Sequence, residues 1–252
     1  LATELVYGYL RFKGRLDYIL SCFLHSPHKV PRDISIALGL AAYELIFLDR
    51  IPFYASVHYW VEQIKKDSPK LAKLANAVLR KVTDNKAELE NKDFYQQDNP
   101  SKITFLSRYY SCPQWIIQIL FKDYAEQEVH TFLKAGLKAP PVGLRFNKRH
   151  PEYHSTLNYY ANLPACILCQ EPGLAFSKTP RQGLAASLEQ GICSRQSISS
   201  QKALLDLEPG QWPQPIWDAC AGKGGKTGFL LEMGLGPVWV SDLSQNRLKI
   251  CD

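Results

Sequence analysis

The sequence predicts an all-helical bundle, then a small α+β region, then the opening β–α–β unit of a doubly wound α/β fold. Three observations carry this. Over residues 1–85 apolar residues recur at helical spacing with brief breaks. Beyond them the pattern changes to shorter runs punctuated by proline and glycine. Near the C-terminus two short apolar runs, Ile216-Trp217 and Val238-Trp239-Val240, each lead to an acid, Asp218 and Asp242. A glycine-rich turn and a helical pattern lie between them.

The elements follow in order. Leu1, Leu5, Val6, Tyr9 and Leu10 make a first apolar face, which Gly14 is expected to break. Leu16, Ile19, Leu20, Phe23 and Leu24 make a second, ended before Pro27. Ile34, Ala37, Leu38, Ala41, Leu45 and Leu48 make a third, beginning just after Pro31. Val57, Trp60, Val61 and Ile64 follow Pro52 and are closed by Ser68-Pro69. Leu71, Leu74, Ala75, Val78 and Leu79 complete the bundle. Residues 86–102 are polar (Asn91, Lys92, Asp93, Gln96, Gln97, Asp98, Asn99, Pro100) and are expected to be a solvated linker.

Residues 103–212 read as a helical and small α+β subdomain. Helical patterns occupy 103–110, 115–121 and 129–137, with Trp115 expected as a core anchor. Alternation then puts Leu144 and Phe146 on one face of a strand and Arg145 and Asn147 on the other. A helix over 151–163 and a strand over 166–168 continue a β–α–β pattern, and 175–201 looks loop-rich. Residues 213–252 hold the final β–α–β unit.

With 252 residues, 46% of them hydrophobic, the chain can bury a sizeable core, which excludes a disordered class. A net charge of +6 and a pI near 8.9 suit a polyanionic partner without requiring one. Lys65, Lys66, Lys70, Lys73, Arg80 and Lys81 cluster around the fourth and fifth helical patterns, either as a solvated face or as an RNA-backbone contact. Seven scattered cysteines fit a reducing cytoplasm. Cys166 and Cys169 lack a second pair at zinc spacing and have apolar neighbours, so buried thiols are expected, not a metal site. No apolar run approaches membrane-span length, and no signal-peptide pattern opens the chain. A cytoplasmic monomer without metal or membrane partner is expected. The missing initial methionine and the helical-looking Arg247, Leu248 and Ile250 at the end suggest an excerpt of a longer protein.

The turn after Asp218 reads Ala219-Cys220-Ala221-Gly222-Lys223-Gly224-Gly225-Lys226-Thr227. Its glycines let backbone approach a ligand, and the helix start offers unpaired N–H groups. A phosphate loop would need glycine where Cys220 stands, and the dinucleotide fingerprint would need glycine at Thr227. Both patterns miss by one position. Asp242 lies close to where a ribose-binding carboxylate is expected.

This stretch resembles the S-adenosylmethionine loop of the RNA cytosine-5 methyltransferases, Asp-x-Cys-Ala-x-Pro-Gly-Gly-Lys-Thr, with Lys223 where that family has proline. Tyr43-Glu44-Leu45, Ile51-Pro52, Val61-Glu62 and Asn76-Ala77-Val78-Leu79-Arg80 resemble a NusB-type RNA-binding domain. Ser111-Cys112-Pro113-Gln114-Trp115 is similar to the family's Ser-His-Pro-x-Trp, and Leu144-Arg145-Phe146-Asn147 to its Leu-Arg-x-Asn. Gly191 and Gln196 align with a Gly…Val-Gln-Asp segment in which Ser197 replaces the aspartate. The combination resembles the bacterial 16S rRNA cytosine-5 methyltransferases that carry a NusB-like N-terminal domain.

The resemblance implies a Rossmann-like methyltransferase fold, S-adenosylmethionine as cofactor and 16S rRNA as partner. It places Cys220, Ala221, Gly222, Lys223, Gly224, Gly225 and Lys226 around the methionine and ribose of the cofactor. Asp242 would accept from the ribose hydroxyls, Lys226 would reach the methionine carboxylate or cap a strand end, and Asp218 would orient the loop. Arg80, Lys81, Arg145 and Asn147 would meet RNA, although Arg145 could equally pair with a carboxylate such as Glu171. The family methylates through a cysteine adduct, and its catalytic cysteines lie in Pro-Cys and Thr-Cys dipeptides. Neither dipeptide occurs here, so the chain alone is expected to be inactive, with Cys220 a structural thiol. A non-catalytic RNA-binding or antitermination module with a degenerate cofactor fold is the alternative. A nucleotide hydrolase using Gly225-Lys226-Thr227 is a third reading, against which Cys220 speaks.

Overall fold

The computed structural model describes residues 2–249, and the chain divides into two units, Leu1–Ala139 and Pro140–Asp252. The observed architecture has the expected classes in the expected order: helices, then a small mixed α+β layer, then a parallel β–α–β unit.

The first unit is helical throughout. Its helices are α1 (Ala2–Phe23), α2 (Arg32–Phe47), α3 (Phe53–Asp67), α4 (Ala72–Asp84), α5 (Lys86–Glu90), α6 (Lys102–Tyr110), α7 (Gln114–Asp123) and α8 (Glu126–Gly136). Pro31, Pro52 and Pro113 stand at the N-caps of α2, α3 and α7, where no N–H is needed. Leu16, Ile19, Leu38, Ala41, Leu79 and Val82 are buried at the centre.

Three expectations are corrected here. Gly14 does not break α1, which runs straight through it. A Cβ at that position would come within 3.1 Å of the Ser111 backbone, so the glycine permits a close approach. There the Arg15 N–H donates to Ser111 Oγ at 2.9 Å.

Residues 86–102 are not a solvated linker. They fold back as α5 and a 3-10 turn at Lys92–Gln96 that seats Leu89, Phe94 and Tyr95 in the bundle core. Tyr95 accepts from Arg15 Nε at 2.7 Å and donates to the Leu89 carbonyl at 2.6 Å. The Arg15 guanidinium lies over the Tyr95 and Tyr109 rings at 4.9 and 4.8 Å. The division falls after Ala139 instead, which places α6–α8 with the helical unit and not with the α+β layer.

Trp115 is 62% exposed rather than a core anchor. The α6–α8 core is Leu106, Ile117, Val129 and Leu133. Trp115 lies two helical positions from Ile117, which turns it to the opposite face of α7.

The second unit contains β1 (Val142–Phe146), α9 (Tyr153–Ala161), β2 (Cys166–Gln170), β3 (Gly173–Phe176), α10 (Leu184–Glu189), β4 (Cys193–Arg195) and α11 (Ile198–Leu205). It continues with β5 (Ile216–Asp218), α12 (Gly225–Glu232), β6 (Val238–Val240) and α13 (Gln245–Leu248). The first sheet has the order β2-β3-β1-β4, each neighbour antiparallel. β1 and β2 are therefore parallel to each other, joined across α9, with β3 inserted between them. The stretch expected to be loop-rich is mostly ordered as α10, β4 and α11.

Leu144 and Phe146 face the core with Tyr153, Leu157, Tyr160 and Phe176, as alternation requires. Cys166 is half-buried and Cys169 exposed on the edge strand β2, so neither is the buried thiol expected; that is Cys193. No group of three or more metal-ligating side chains occurs among the described residues. Among them no helix is long and apolar enough to cross a membrane.

Candidate cofactor-binding site

β5 and β6 pair in parallel, with Ile216 opposite Val238, Trp217 opposite Trp239 and Asp218 opposite Val240. This register brings the two strand ends, and their acids, side by side. Beyond them the Ser241 N–H donates to the Asp218 carbonyl and the Ala221 N–H to the Ser241 carbonyl, both at 3.0 Å. The chain then turns into α12 through Gly222 at φ +61° and Gly224 at φ +75°, left-handed conformations that favour glycine. The Gly224 N–H closes the turn on the Ala221 carbonyl at 2.9 Å.

Both acids hold this turn. Asp218 Oδ2 accepts from Thr227 Oγ1 at 2.7 Å, tying the strand end to the first turn of α12. Asp242 Oδ2 accepts from the Gly222 N–H at 2.9 Å, and its Oδ1 accepts from the Ser244 N–H at 2.9 Å. The N–H groups of Ser244 and Gly222 lower the Asp242 pKa, so the group stays a carboxylate at neutral pH. Asp242 thus points at the glycine turn.

A Cβ added at Gly222 or Gly225 would meet nothing within 4 Å. The space above the turn is therefore open. Helix geometry leaves the N–H groups of the first turn of α12 without intrahelical acceptors. Cys220, Lys223, Gly225 and Lys226 are exposed, Gly222 and Gly224 half-buried, and Ala221 buried beneath them. Lys226 has no acidic partner among the described residues. An open bend at a helix start, with the Asp242 carboxylate bonded to it and the exposed Lys226 in the following turn, can take a ligand that has hydroxyls and an anionic group.

Arg145 is buried, its side chain 3% exposed, so the expected RNA contact is corrected. A guanidinium must reach solvent to meet a phosphate. This one donates from Nε and Nη2 to the two carboxylate oxygens of Glu232, each at 2.7 Å. Its Nη1 donates to the Gly225 carbonyl at 2.6 Å and to Gln196 Oε1 at 2.7 Å, and its carbon centre sits 5.1 Å from the Phe229 ring centroid. Gln196 also donates to the Gly225 carbonyl at 3.2 Å. Glu171, offered as a partner for Arg145, instead accepts from the Tyr153 hydroxyl at 3.1 Å.

Asn147 spends its side chain locally. Its Oδ1 accepts from the Arg149 N–H at 3.0 Å and its Nδ2 donates to the Gly191 carbonyl at 3.4 Å, so it shapes a turn rather than presenting an amide to RNA. Arg80 and Lys81 are exposed on α4, as an RNA contact needs.

Sequence reasoning missed Glu232. The signal was present: Gly225, Gly228 and Glu232 fall on one face of α12. A Cβ at Gly228 would lie 3.3 Å from Arg145 Nη2, so two side-chain-free positions and an acid frame a slot for a cation.

Comparison with known proteins relates the chain to two groups. Residues 1–84 match the NusB family. Nearly the whole chain aligns with proteins named ribosomal RNA small subunit methyltransferase B. It is 30% identical to the Vibrio vulnificus protein over 99% of this chain and 57% of that one. It is 28% identical to the Bacillus subtilis protein, named as probable, over 99% of this chain and 56% of that one. The probable Synechocystis protein is 28% identical over 98% and 56%. The crystal structure of PH0851 shares the fold with a TM-score of 0.69 at 17% identity, over 98% of this chain and 56% of its own. The chain spans a little over half the length of the curated relatives it matches. Residues 1–84 are thus similar to the NusB family, and the chain as a whole is similar to the small-subunit rRNA methyltransferase B proteins of several bacteria.

Proposed function

We propose that this chain is the RNA-holding and cofactor-gripping part of an S-adenosylmethionine-dependent enzyme that methylates carbon 5 of a cytosine in small-subunit (16S) rRNA. The observation that supports it most is the Asp242 carboxylate bonded to the Gly222 amide, beside glycines that border open space. In this reading the backbone from Cys220 through Ala221, Gly222, Lys223, Gly224 and Gly225 to Lys226 curves around the methionine and ribose. Each Asp242 oxygen keeps a lone pair for a ribose hydroxyl after its amide bond. Lys226 supplies a cation for the amino-acid carboxylate. Lys223, exposed where the related family has proline, adds charge at the rim without filling the bend.

When bound, the cofactor supplies an electrophilic methyl group. By family resemblance a cysteine thiolate adds to carbon 6 of the cytosine, and carbon 5 becomes enamine-like. That thiolate is assigned outside these 252 residues, because neither Pro-Cys nor Thr-Cys occurs in them. Arg80 and Lys81 contribute phosphate contacts from the helical domain. A cytoplasmic monomer acting on rRNA completes the reading.

Calorimetric titration of the chain with S-adenosylmethionine and with ATP tests it. Methyl-donor binding without ATP binding is the expected result. Silence with both ligands would overturn the reading in favour of a non-catalytic RNA-binding module, and ATP binding alone in favour of a nucleotide hydrolase.

A further inference from the structure

We propose that Arg145 and Gln196 are positioning residues for the cofactor: together they aim the Lys226 backbone N–H at the amino-acid carboxylate of the methyl donor. The proposal rests on the cofactor reading given above and deepens it by assigning one end of the ligand to one peptide group. Three side-chain bonds converge on the first residue of α12. Arg145 Nη1 donates to the Gly225 carbonyl at 2.6 Å, Gln196 Nε2 donates to the same oxygen at 3.2 Å, and Gln196 Oε1 accepts from the same Nη1 at 2.7 Å. Neutralising Arg145 does not require this ring, because Glu232 already takes the Nε and Nη2 donors on its two oxygens. Gln196 Oε1 alone would satisfy Nη1. The mounting is rigid as well. The Gln196 N–H donates to the Gly143 carbonyl and its own carbonyl accepts from Gln201 Nε2, both at 3.1 Å.

Peptide geometry says what the ring controls. A trans peptide unit is planar, so the Gly225 carbonyl and the Lys226 N–H point in opposite directions. Holding the oxygen against Arg145 and Gln196 turns the N–H the other way, out of the helix start. Lys226 is the second residue of α12, so that N–H has no intrahelical acceptor. Donation to the carbonyl also polarises the peptide and makes its N–H a stronger donor. Asp218 pins Thr227 at 2.7 Å, which holds the same turn from its next residue. A strengthened N–H beside the exposed Lys226 side chain suits a carboxylate. The ribose is left to Asp242, which is bonded to Gly222 at the start of the turn.

The test is calorimetric titration of the 252-residue chain with two thioether nucleosides: S-adenosylhomocysteine, which carries the amino-acid end, and methylthioadenosine, which lacks it. Gln196→Met removes the donor to Gly225 at similar length. It should weaken S-adenosylhomocysteine binding roughly tenfold and leave methylthioadenosine binding unchanged. Arg145→Lys, which keeps a charge facing Glu232 and loses the fork, should show the same split. Leu157→Ala opens a cavity in the core of the same unit and should lower the unfolding midpoint while leaving both affinities unchanged. Should Gln196→Met fail to fold, Gln196→Glu answers the same question, since it keeps the acceptor for Arg145 and drops the donor to Gly225. Equal losses for the two ligands, no loss for either, or a selective loss in Leu157→Ala would overturn this proposal alone. So would a wild-type chain that binds both ligands equally, because the amino-acid end would then contribute nothing. A wild-type chain that binds neither ligand would overturn the cofactor reading and this proposal with it.

Discussion

Arg145 and Glu232 lie 87 residues apart in sequence and meet through two parallel hydrogen bonds of 2.7 Å. The same guanidinium holds the Gly225 carbonyl, so one side chain from β1 grips both ends of α12. α12 begins where the candidate cofactor turn ends, and Arg145 thereby fixes that turn to the antiparallel sheet.

Breaking this pair should be expensive. Glu232→Ala leaves a buried, uncompensated guanidinium and should destabilise the C-terminal unit by about 3 kcal/mol. Arg145→Met combined with Glu232→Leu removes both charges and should cost less than the sum of the two single changes. Denaturant titrations of the three variants give the coupling directly.

Two glycines should respond in opposite directions. At Gly143 a Cβ would come within 2.2 Å of the Gln196 carbonyl oxygen and 2.7 Å of the Ser197 Cα, both backbone atoms. Gly143→Ala should therefore cost about 1–3 kcal/mol or more. At Gly136, in the last turn of α8, a Cβ meets nothing within 4 Å. Gly136→Ala should be neutral or stabilising by up to about 1 kcal/mol. Thermal melts of both variants read the contrast.

Residues 86–102 should behave as core. Tyr95→Phe removes a buried hydroxyl that bridges Arg15 and the Leu89 carbonyl, and should cost about 1–3 kcal/mol. Limited proteolysis of the wild-type chain should spare this stretch; rapid cleavage within it would show a linker after all.

Burial pushes the Cys193 thiol from its ordinary 9.0 up to about 11. The folded state binds this proton more tightly than the unfolded state. Its contribution to stability is therefore complete below pH 9 and lost as pH rises through 11. At about pH 8 Cys193 should resist iodoacetamide while the exposed Cys22, Cys169 and Cys220 react, as read by peptide mass spectrometry.

What could be read beforehand follows physical lines. The bundle was legible because helical periodicity with proline at helix starts is a local signal. So was β5–turn–α12, since a glycine turn between two short apolar runs has few other conformations. Gly14 misled because glycine's helix penalty is visible in sequence whereas the approach of Ser111 is not. The 86–102 stretch misled because its polar residues outnumber Leu89, Phe94 and Tyr95, the three that dock. Arg145 shows the same limit: strand alternation put it on the face away from Leu144 correctly. Whether that face met solvent or α12 depended on Glu232, a contact across 87 residues that no local pattern encodes.

The most direct test of the central claim compares S-adenosylmethionine binding by the wild-type chain and by Asp242→Ala. If Asp242 holds the ribose beside the Gly222 turn, Asp242→Ala should bind at least tenfold more weakly, and Asp218→Ala, which loosens the same turn through Thr227 without touching the ribose, should lose less. Undiminished methyl-donor affinity in Asp242→Ala would contradict the account.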